Sequence, residues 1–423
     1  MKLDKVNQLT VCLPGDKSIT HRALILSSFI KGKHEFTNFP INEDVSSTLN
    51  ILSKLGLEYK IKGNVIAIDS TNISLKSVES LDCNESGTTA RLLIGYLVGR
   101  NINTIIKGSK SLLNRPMRRI VNPLKLFGAN IASNKDRLPI KIDYSNKLKP
   151  FDYSLKIESA QVKSALILYA ISIDGKSIIR GKIKTRDHLE NLLTYVNFPI
   201  KIYSDRIEIN GKAEIRKNIN LDIPGDISSA SFIICASLLT KKTSVTIKNV
   251  SINDYRIGFL NAIIKMGAKI SILKKRIYFN EPVADIRVAS TNNLNGIKIK
   301  KSDVASMIDE IPILSVLACK ADGDTIIEGI DELKVKESDR VKAIIDNINT
   351  MGGVAKLVGD SLIISGNKKL HSTTIKSYED HRIFMSFYIA NRTLAGNINK
   401  ENISNSYSKS FPKFINIIEK IIA

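Results

Sequence analysis

Helix stops recur along this chain at a nearly constant interval. They fall at Gly56, Gly128, Asn197, Gly267 and Gly352, with spacings of 72, 69, 70 and 85 residues, and the chain ends 71 residues after the last. Each follows an amphipathic stretch, and Gly or Asn there suits the left-handed residue that closes a helix. The segments after them are strand-like, reading Ala-Asn-Ile, Ala-Lys-Ile and Val-Ala-Lys-Leu in three cases. A strand, a charged loop, a helix and another strand therefore repeat. Six units of about 70 residues account for all 423 positions. Six similar α/β units are the simplest reading of such a chain.

A second repeat lies above the first. Leu13-Pro14-Gly15-Asp16-Lys17-Ser18 leads into an apolar helix, and Ile223-Pro224-Gly225-Asp226-Ile227-Ser228 leads into another, 210 residues later. Pro-Gly marks a turn, and Asp or Ser then caps a helix. The alternative is coincidence between short strings. The matched helices and the half-length offset favour two homologous halves of three units each. The expected domains are residues 16–225, and residues 1–15 together with 226–423, with hinges near 14–16 and 224–226. Paired halves commonly hold a ligand in the cleft between them.

Composition excludes several classes. Hydrophobic content of 43% and charged content of 25% are those of a soluble globular protein. No apolar run reaches the ~18 residues of a membrane span. The first residues carry no targeting signal, so a cytoplasmic protein is expected. Cys12, Cys83, Cys235 and Cys319 are scattered without a metal-binding spacing, and reduced, buried thiols are expected. The net charge of +22 admits three readings: a nucleic-acid binder, a lysine-rich solvated surface, or a basic cleft for anionic small molecules. Aromatic content of 6% and the absence of Trp offer no stacking platform for nucleic acid.

The polar motifs share one context, the first turn of a helix. Asp16-Lys17-Ser18-Ile19-Thr20-His21-Arg22 puts a lysine, a hydroxyl and an arginine at a helix N-terminus, which suits an anion or an ordinary capped helix equally. Ser86-Gly87-Thr88-Thr89 resembles a backbone cradle for phosphate, or a simple cap. Arg115 precedes Pro116, expected in a first helical turn, and could clamp a carboxylate, whereas Arg118 and Arg119 fit a solvated face. Ser159, Ala160, Gln161 and Lys163 open an apolar helix, and Thr185-Arg186-Asp187-His188 opens another. Asp309 and Glu310 precede a wholly apolar helix, where they suit the macrodipole or supply a general base. Lys336 and Arg340 are four apart with Glu337 between them, which reads as a helix face or a salt-bridged surface. Glu379-Asp380-His381-Arg382 and Lys409-Ser410-Phe411-Pro412 open the last two helices.

Taken in order, LPGDKSITHRA, SGTTARLL, NRPMRR, SAQVKSALI, TRDH, IPGDISSASF, DEIPILSV, LKVKESDR, EDHRIFMS and KSFP closely resemble the EPSP synthase family, the 3-phosphoshikimate 1-carboxyvinyltransferases, over almost the whole chain. The resemblance implies an α/β fold of two lobes, an inside-out α/β barrel built from six βαβαββ repeats with pseudo-threefold symmetry in each lobe. It implies transfer of the enolpyruvyl group of phosphoenolpyruvate to the 5-hydroxyl of shikimate 3-phosphate, in a monomer, with no metal or organic cofactor and no nucleic-acid or membrane partner. By the same resemblance Lys17, Ser18, Arg22, Ser159, Ala160, Gln161, Thr185, Asp309 and Lys336 would hold shikimate 3-phosphate. Lys17, Gly87, Arg115, Gln161, Arg340, Arg382 and Lys409 would hold phosphoenolpyruvate. Asp309 would act as base toward the 5-hydroxyl, Glu337 would move the proton at C3, and Lys17 would touch both substrates. Ala160 and Glu85 depart from the family pattern, where Ser and Asn are usual; Glu85 is expected to be paired or turned away. The sister transferase acting on UDP-N-acetylglucosamine fits less well, because its loop cysteine is missing from the NRPMRR region.

Overall fold

The computed structural model describes residues 7–395 and 405–423. Residues 1–6, the first part of the stretch read as the cytoplasmic start, lie outside the described residues, as do residues 396–404. The chain divides into two compact units. The first is Gly15–Ile223 with Tyr278–Glu281, and the second is Met1–Pro14, Pro224–Ile277 and Pro282–Ala423. The four residues Tyr278–Glu281 were expected with the other half. They go with the first unit because Phe279 is buried in its apolar core and Glu281 pairs with His188 at 3.0 Å.

Among the described residues, five four-stranded sheets share one plan. In each, an outer strand runs parallel to its neighbour and the next two pairings are antiparallel. In the first unit Ser80–Asp82 pairs in parallel with Thr104–Lys107, which pairs antiparallel with Arg137–Asp143, followed by Asn130–Asn134. The sheet around Gly175–Gly181 is built the same way. Two sheets draw their parallel strand from far along the chain. Asn220–Asp222 lies beside Lys33–Thr37, and Asn7–Cys12 lies beside Thr243–Ser251. Each unit thus closes on a strand from the opposite end of the sequence, which is the physical content of a split domain. Cys12 is exposed rather than buried, because its strand is the edge of its sheet, while Cys83, Cys235 and Cys319 are buried; all four are free thiols.

The five expected helix stops are left-handed: φ is +114° at Gly56, +96° at Gly128, +59° at Asn197, +95° at Gly267 and +86° at Gly352. At the first, the Leu57 N–H returns to the Leu52 carbonyl and closes the helix end.

Among the described residues, three helices in each unit are buried nearly all round and lie in its core. They are Lys17–Ser27, Gly87–Gly99 and Ala160–Ala170 in the first unit, and Ile227–Leu239, Ile311–Lys320 and His381–Thr393 in the second. Helices such as Glu43–Lys54 and Arg340–Thr350 bury one face only. Central helices with sheets around them are the reverse of an ordinary barrel. The reason is compositional: a helix such as ISSASFIICASLL has no polar stripe to offer water, and each large aliphatic side chain it buries contributes about 1.5–3 kcal/mol. Glycine sets how near these helices come. A Cβ on Gly95 would stand 2.0 Å from the Ala165 carbonyl oxygen, so the Gly87 and Ala160 helices touch backbone to backbone.

The polar first turns expected from sequence are thereby placed at the mouths of buried helices. Asp16, Ser86, Ser159 and Asp226 all cap, their side chains accepting from Ile19, Thr89, Val162 and Ser228 N–H groups. Two local expectations change. Helix Arg118–Leu126 begins two residues after Pro116, with Met117 at its N-cap. Helix Arg340–Thr350 begins only at Arg340, capped by Asp339, so Lys336 and Glu337 lie on the preceding turn rather than on a helix face.

Candidate functional site

In the first unit the expected residues gather around the mouths of its three buried helices. Lys17 is half-buried and its ammonium lies 2.6 Å from Asp44 Oδ2, in the first turn of the neighbouring helix. Arg22 is buried one turn further on. Its Nε donates to Ser164 Oγ at 3.0 Å, its Nη1 to the Ser18 carbonyl at 2.8 Å and its Nη2 to the Ala160 carbonyl at 3.5 Å. One guanidinium therefore ties the Lys17 helix to the Ala160 helix. The backbone oxygen of Ala160 takes part where its side chain offers no hydroxyl.

Gln161 is held at both ends of its amide. Oε1 accepts from Arg91 Nη1 at 2.9 Å and Nε2 donates to Thr88 Oγ1 at 2.9 Å. Arg115 lies against Gly87, where a Cβ would come within 2.8 Å of Arg115 Nη1 and 3.0 Å of Arg91 Nη1. A side chain there would displace one of these two guanidinium groups. Thr185 is buried in the turn before helix His188–Tyr195, and its carbonyl accepts from Lys163 Nζ at 2.7 Å. Lys163 also donates to the Ile183 carbonyl at 3.0 Å and pairs with Glu190 at 2.6 Å. Ser159 Oγ accepts from the Val162 N–H at 3.4 Å and caps its own helix. Glu85 is exposed and has an interaction partner; Arg118 is exposed and Arg119 half-buried.

His21, on the same helix as Lys17, is fully buried. Burial pushes its pKa down to about 3, with Lys17 and Arg22 adding to the effect and Asp44 opposing it. It is therefore neutral, and its Nδ1 shares a proton with Thr48 Oγ1 at 2.7 Å.

In the second unit Arg340 is the centre. Its side chain is 1% exposed and faces three carboxylates. Nε donates to Asp380 Oδ2 at 2.8 Å, Nη2 to Glu337 Oε2 at 2.6 Å and Nη1 to Asp309 Oδ1 at 3.3 Å. Burial disfavours its charge, but Asp380, Glu337 and Asp309 outweigh burial and raise its pKa above the ordinary value. Burial likewise pushes Asp380 up, and Arg340 pulls it below the usual carboxylate range. Lys336 Nζ stands 3.9 Å from Asp309 Oδ1. Arg382 Nη1 donates to the Asp309 carbonyl at 3.3 Å and lies 4.0 Å from Glu310 Oε1. Ser228 bonds Glu310, and Arg256 Nη2 donates to Ser228 Oγ at 2.7 Å. Lys409 is half-buried at the end of the short turn Asn405–Lys409. The structure thus joins Asp309, Lys336, Glu337, Arg340 and Arg382 in one network.

Sequence reasoning left Asp44, Arg91, Lys163, Arg256 and Asp380 without a role. Asp380 stands inside a motif that was singled out, and its place one residue before a buried helix was a usable signal. Among the described residues, Asp187, His188 and Glu281 also come close enough to share a cation. The Asn191 amide donates to Glu281 Oε2 at 3.0 Å and to Asp187 Oδ1 at 3.3 Å, and His188 Nδ1 lies 3.1 Å from Glu281 Oε2. Protons already bridge that group.

The family model for EPSP synthase (3-phosphoshikimate 1-carboxyvinyltransferase) matches residues 4–418. A 3-phosphoshikimate 1-carboxyvinyltransferase of Oceanobacillus iheyensis is 38% identical over 417 residues, covering 98% of this chain and 96% of that protein. One of Clostridium tetani is 41% identical over 382 residues, covering 89% and 86%. The solved EPSP synthase of Acinetobacter baumannii superposes with a TM-score of 0.85 at 31% identity, over 99% of this chain and 96% of that one. The enolpyruvyl transferase NikO of Streptomyces tendae shares the fold, with a TM-score of 0.77 at 14% identity over the same shares. With the family model spanning nearly every residue and the sheets and buried helices arranged as described, the chain belongs to the EPSP synthase family.

Proposed function

We propose that this protein is a 3-phosphoshikimate 1-carboxyvinyltransferase. The 5-hydroxyl of shikimate 3-phosphate adds to C2 of phosphoenolpyruvate while C3 gains a proton. The tetrahedral intermediate then loses phosphate from C2 and the proton from C3, giving the enolpyruvyl ether. The sequence is an addition followed by an elimination, so it balances without an oxidant or reductant.

The observation that carries the reading is the Arg340 network, in which two carboxylates of the expected chemistry are held by one buried guanidinium. Asp309 takes the proton of the attacking hydroxyl, with the Lys336 and Arg340 cations 3.9 Å and 3.3 Å from its Oδ1. Glu337 gives the proton to C3 and later removes it; its turn position leaves it exposed to substrate while Arg340 fixes its angle. Arg115, Arg340, Arg382, Lys409 and Lys17 supply the cations that phosphoenolpyruvate requires. Arginine suits its carboxylate and phosphate because the planar fork binds two oxygens at once. The same cations stabilise charge developing on the departing phosphate. Gly87 lets the backbone approach the anion, and the Gln161 amide donates to it. Lys17, Ser18, Arg22, Ser159, Ala160, Gln161 and Thr185 hold the shikimate 3-phosphate side. Ser18 acts through its hydroxyl and Ala160 through its backbone.

The reading makes the protein a cytoplasmic monomer acting on two small molecules. Among the described residues no helix is long and apolar enough to cross a membrane. The deciding experiment measures phosphate released from phosphoenolpyruvate with and without shikimate 3-phosphate. Release that requires both substrates is expected, and none above background rejects the assignment. Glu337→Gln should bind both substrates and turn over roughly 10²–10⁴-fold more slowly; near-normal turnover removes Glu337 from proton transfer.

A further inference from the structure

We propose that Arg91 is a positioning residue that orients the Gln161 side chain so that it meets an anionic substrate with a donor and not with its carbonyl oxygen. The inference rests on the function proposed above and adds a residue to it.

Arg91 lies four residues after Gly87 on the same helix, so the two share a face. Its Nη1 reaches Gln161 Oε1 at 2.9 Å, seventy positions along the chain, and its Nη2 reaches the Pro116 carbonyl at 3.4 Å. It therefore connects the three segments that carry Gly87, Arg115 and Gln161. A guanidinium can only donate. Only one of the two amide orientations of Gln161 satisfies it, the one with Oε1 toward Arg91. Nε2 must then face the other way, where one of its hydrogens goes to Thr88 Oγ1 at 2.9 Å. The second N–H remains as a donor. With the amide reversed, Nε2 would face the guanidinium and the carbonyl oxygen would be presented to a phosphate or carboxylate.

Thr88, the other partner of the amide, does not set that choice. Thr88 Oγ1 can donate as readily as it accepts, so by itself it would tolerate either orientation. The charge-assisted bond from Arg91 is the selective contact, and losing such a bond shifts an equilibrium roughly 10- to 100-fold. Gly87 gives the arrangement room, since a Cβ there would press on Arg115 Nη1 at 2.8 Å and Arg91 Nη1 at 3.0 Å and push these guanidinium groups from their places.

The test is a double-mutant cycle on purified full-length enzyme, read as KM for phosphoenolpyruvate and kcat at saturating shikimate 3-phosphate. Arg91→Met should raise KM about tenfold or more, with kcat changed far less, because the lost contact orients a binding group. In a Gln161→Met background the same substitution should change KM less than about twofold, since no amide remains to orient. Arg91→Lys, which can still donate to Oε1, should recover part of the loss. An unchanged KM in Arg91→Met, or effects of the two substitutions that multiply, would overturn the proposal. If Arg91→Met does not fold, Arg91→Lys alone and combined with Gln161→Met decides by the same criterion. Parent enzyme without substrate-dependent phosphate release would instead reject the function, so the two failures are told apart.

Discussion

Gly95→Ala tests whether helix contact in the first unit controls its binding residues. The substitution adds one methyl group at a helix centre, where alanine is intrinsically favoured by about 1 kcal/mol. The added Cβ would stand 2.0 Å from the Ala165 carbonyl oxygen, 2.6 Å from its carbon and 2.9 Å from its Cα. These are backbone atoms, so no side chain can turn aside. Ordinary contact begins near 3.4 Å, and the helices must part by more than 1 Å. Overpacking of this kind costs about 1–3 kcal/mol or more and should exceed the helix-propensity gain. The functional effect should be larger. Gln161 is four residues from Ala165, about 6 Å along its helix, and Thr88 and Arg91 lie on the partner helix. A 1 Å separation carries their 2.9 Å contacts with Gln161 beyond hydrogen-bond distance. Misplacement by 1 Å can cost on the order of 10²-fold in rate. Thermal melting and kcat/KM for phosphoenolpyruvate are the assays. Gly99→Ala serves as a graded comparison, since its Cβ would meet Ser172 and Tyr169 at 3.0 Å and needs only a small adjustment. Parent-like stability and activity in Gly95→Ala would refute the reasoning, as would a larger effect from Gly99→Ala.

Two further expectations concern buried ionisable groups. His21 stays neutral in the folded protein down to about pH 3 but protonates near 6.5 when unfolded, so its contribution is complete above pH 6.5 and is lost as pH falls below it. At roughly 1.36 kcal/mol per pH unit the loss is about 2.7 kcal/mol by pH 4.5. Urea unfolding of His21→Asn against the parent should show a flatter acid limb, and identical limbs would reject the assignment. His34 adds to the trend, because burial lowers its pKa and its Nδ1 accepts from the Ile219 N–H at 3.0 Å, a bond that protonation would break. Lys163→Met should cost about 3–5 kcal/mol by leaving the Glu190 carboxylate buried without its cation. Combining it with Glu190→Leu should return much of that loss, and additive losses in denaturant melts would contradict the pairing.

What the chain determines by itself is local. Positive φ at Gly56, Gly128, Asn197, Gly267 and Gly352, and the caps at Asp16, Ser159 and Asp226, each depend on a few neighbouring residues, so they are legible in order along the sequence. Their spacing then yields six units, and fully apolar helix sequences announce burial. The motifs were legible as helix mouths too, although Lys336 and Glu337 proved to lie on a turn, because Asp339 caps the helix later than the charge pattern implied. Tertiary structure alone decided the partnerships. Arg22 with Ser164, Arg91 with Gln161, Lys163 with Glu190 and Arg340 with Asp380 join residues 142, 70, 27 and 40 positions apart. A side chain's type says what it can donate or accept, but which acceptor arrives is set by the packing of distant helices. The placement of Tyr278–Glu281 in the first unit has the same origin, since burial of Phe279 and the pairing of Glu281 with His188 are contacts that no local signal encodes.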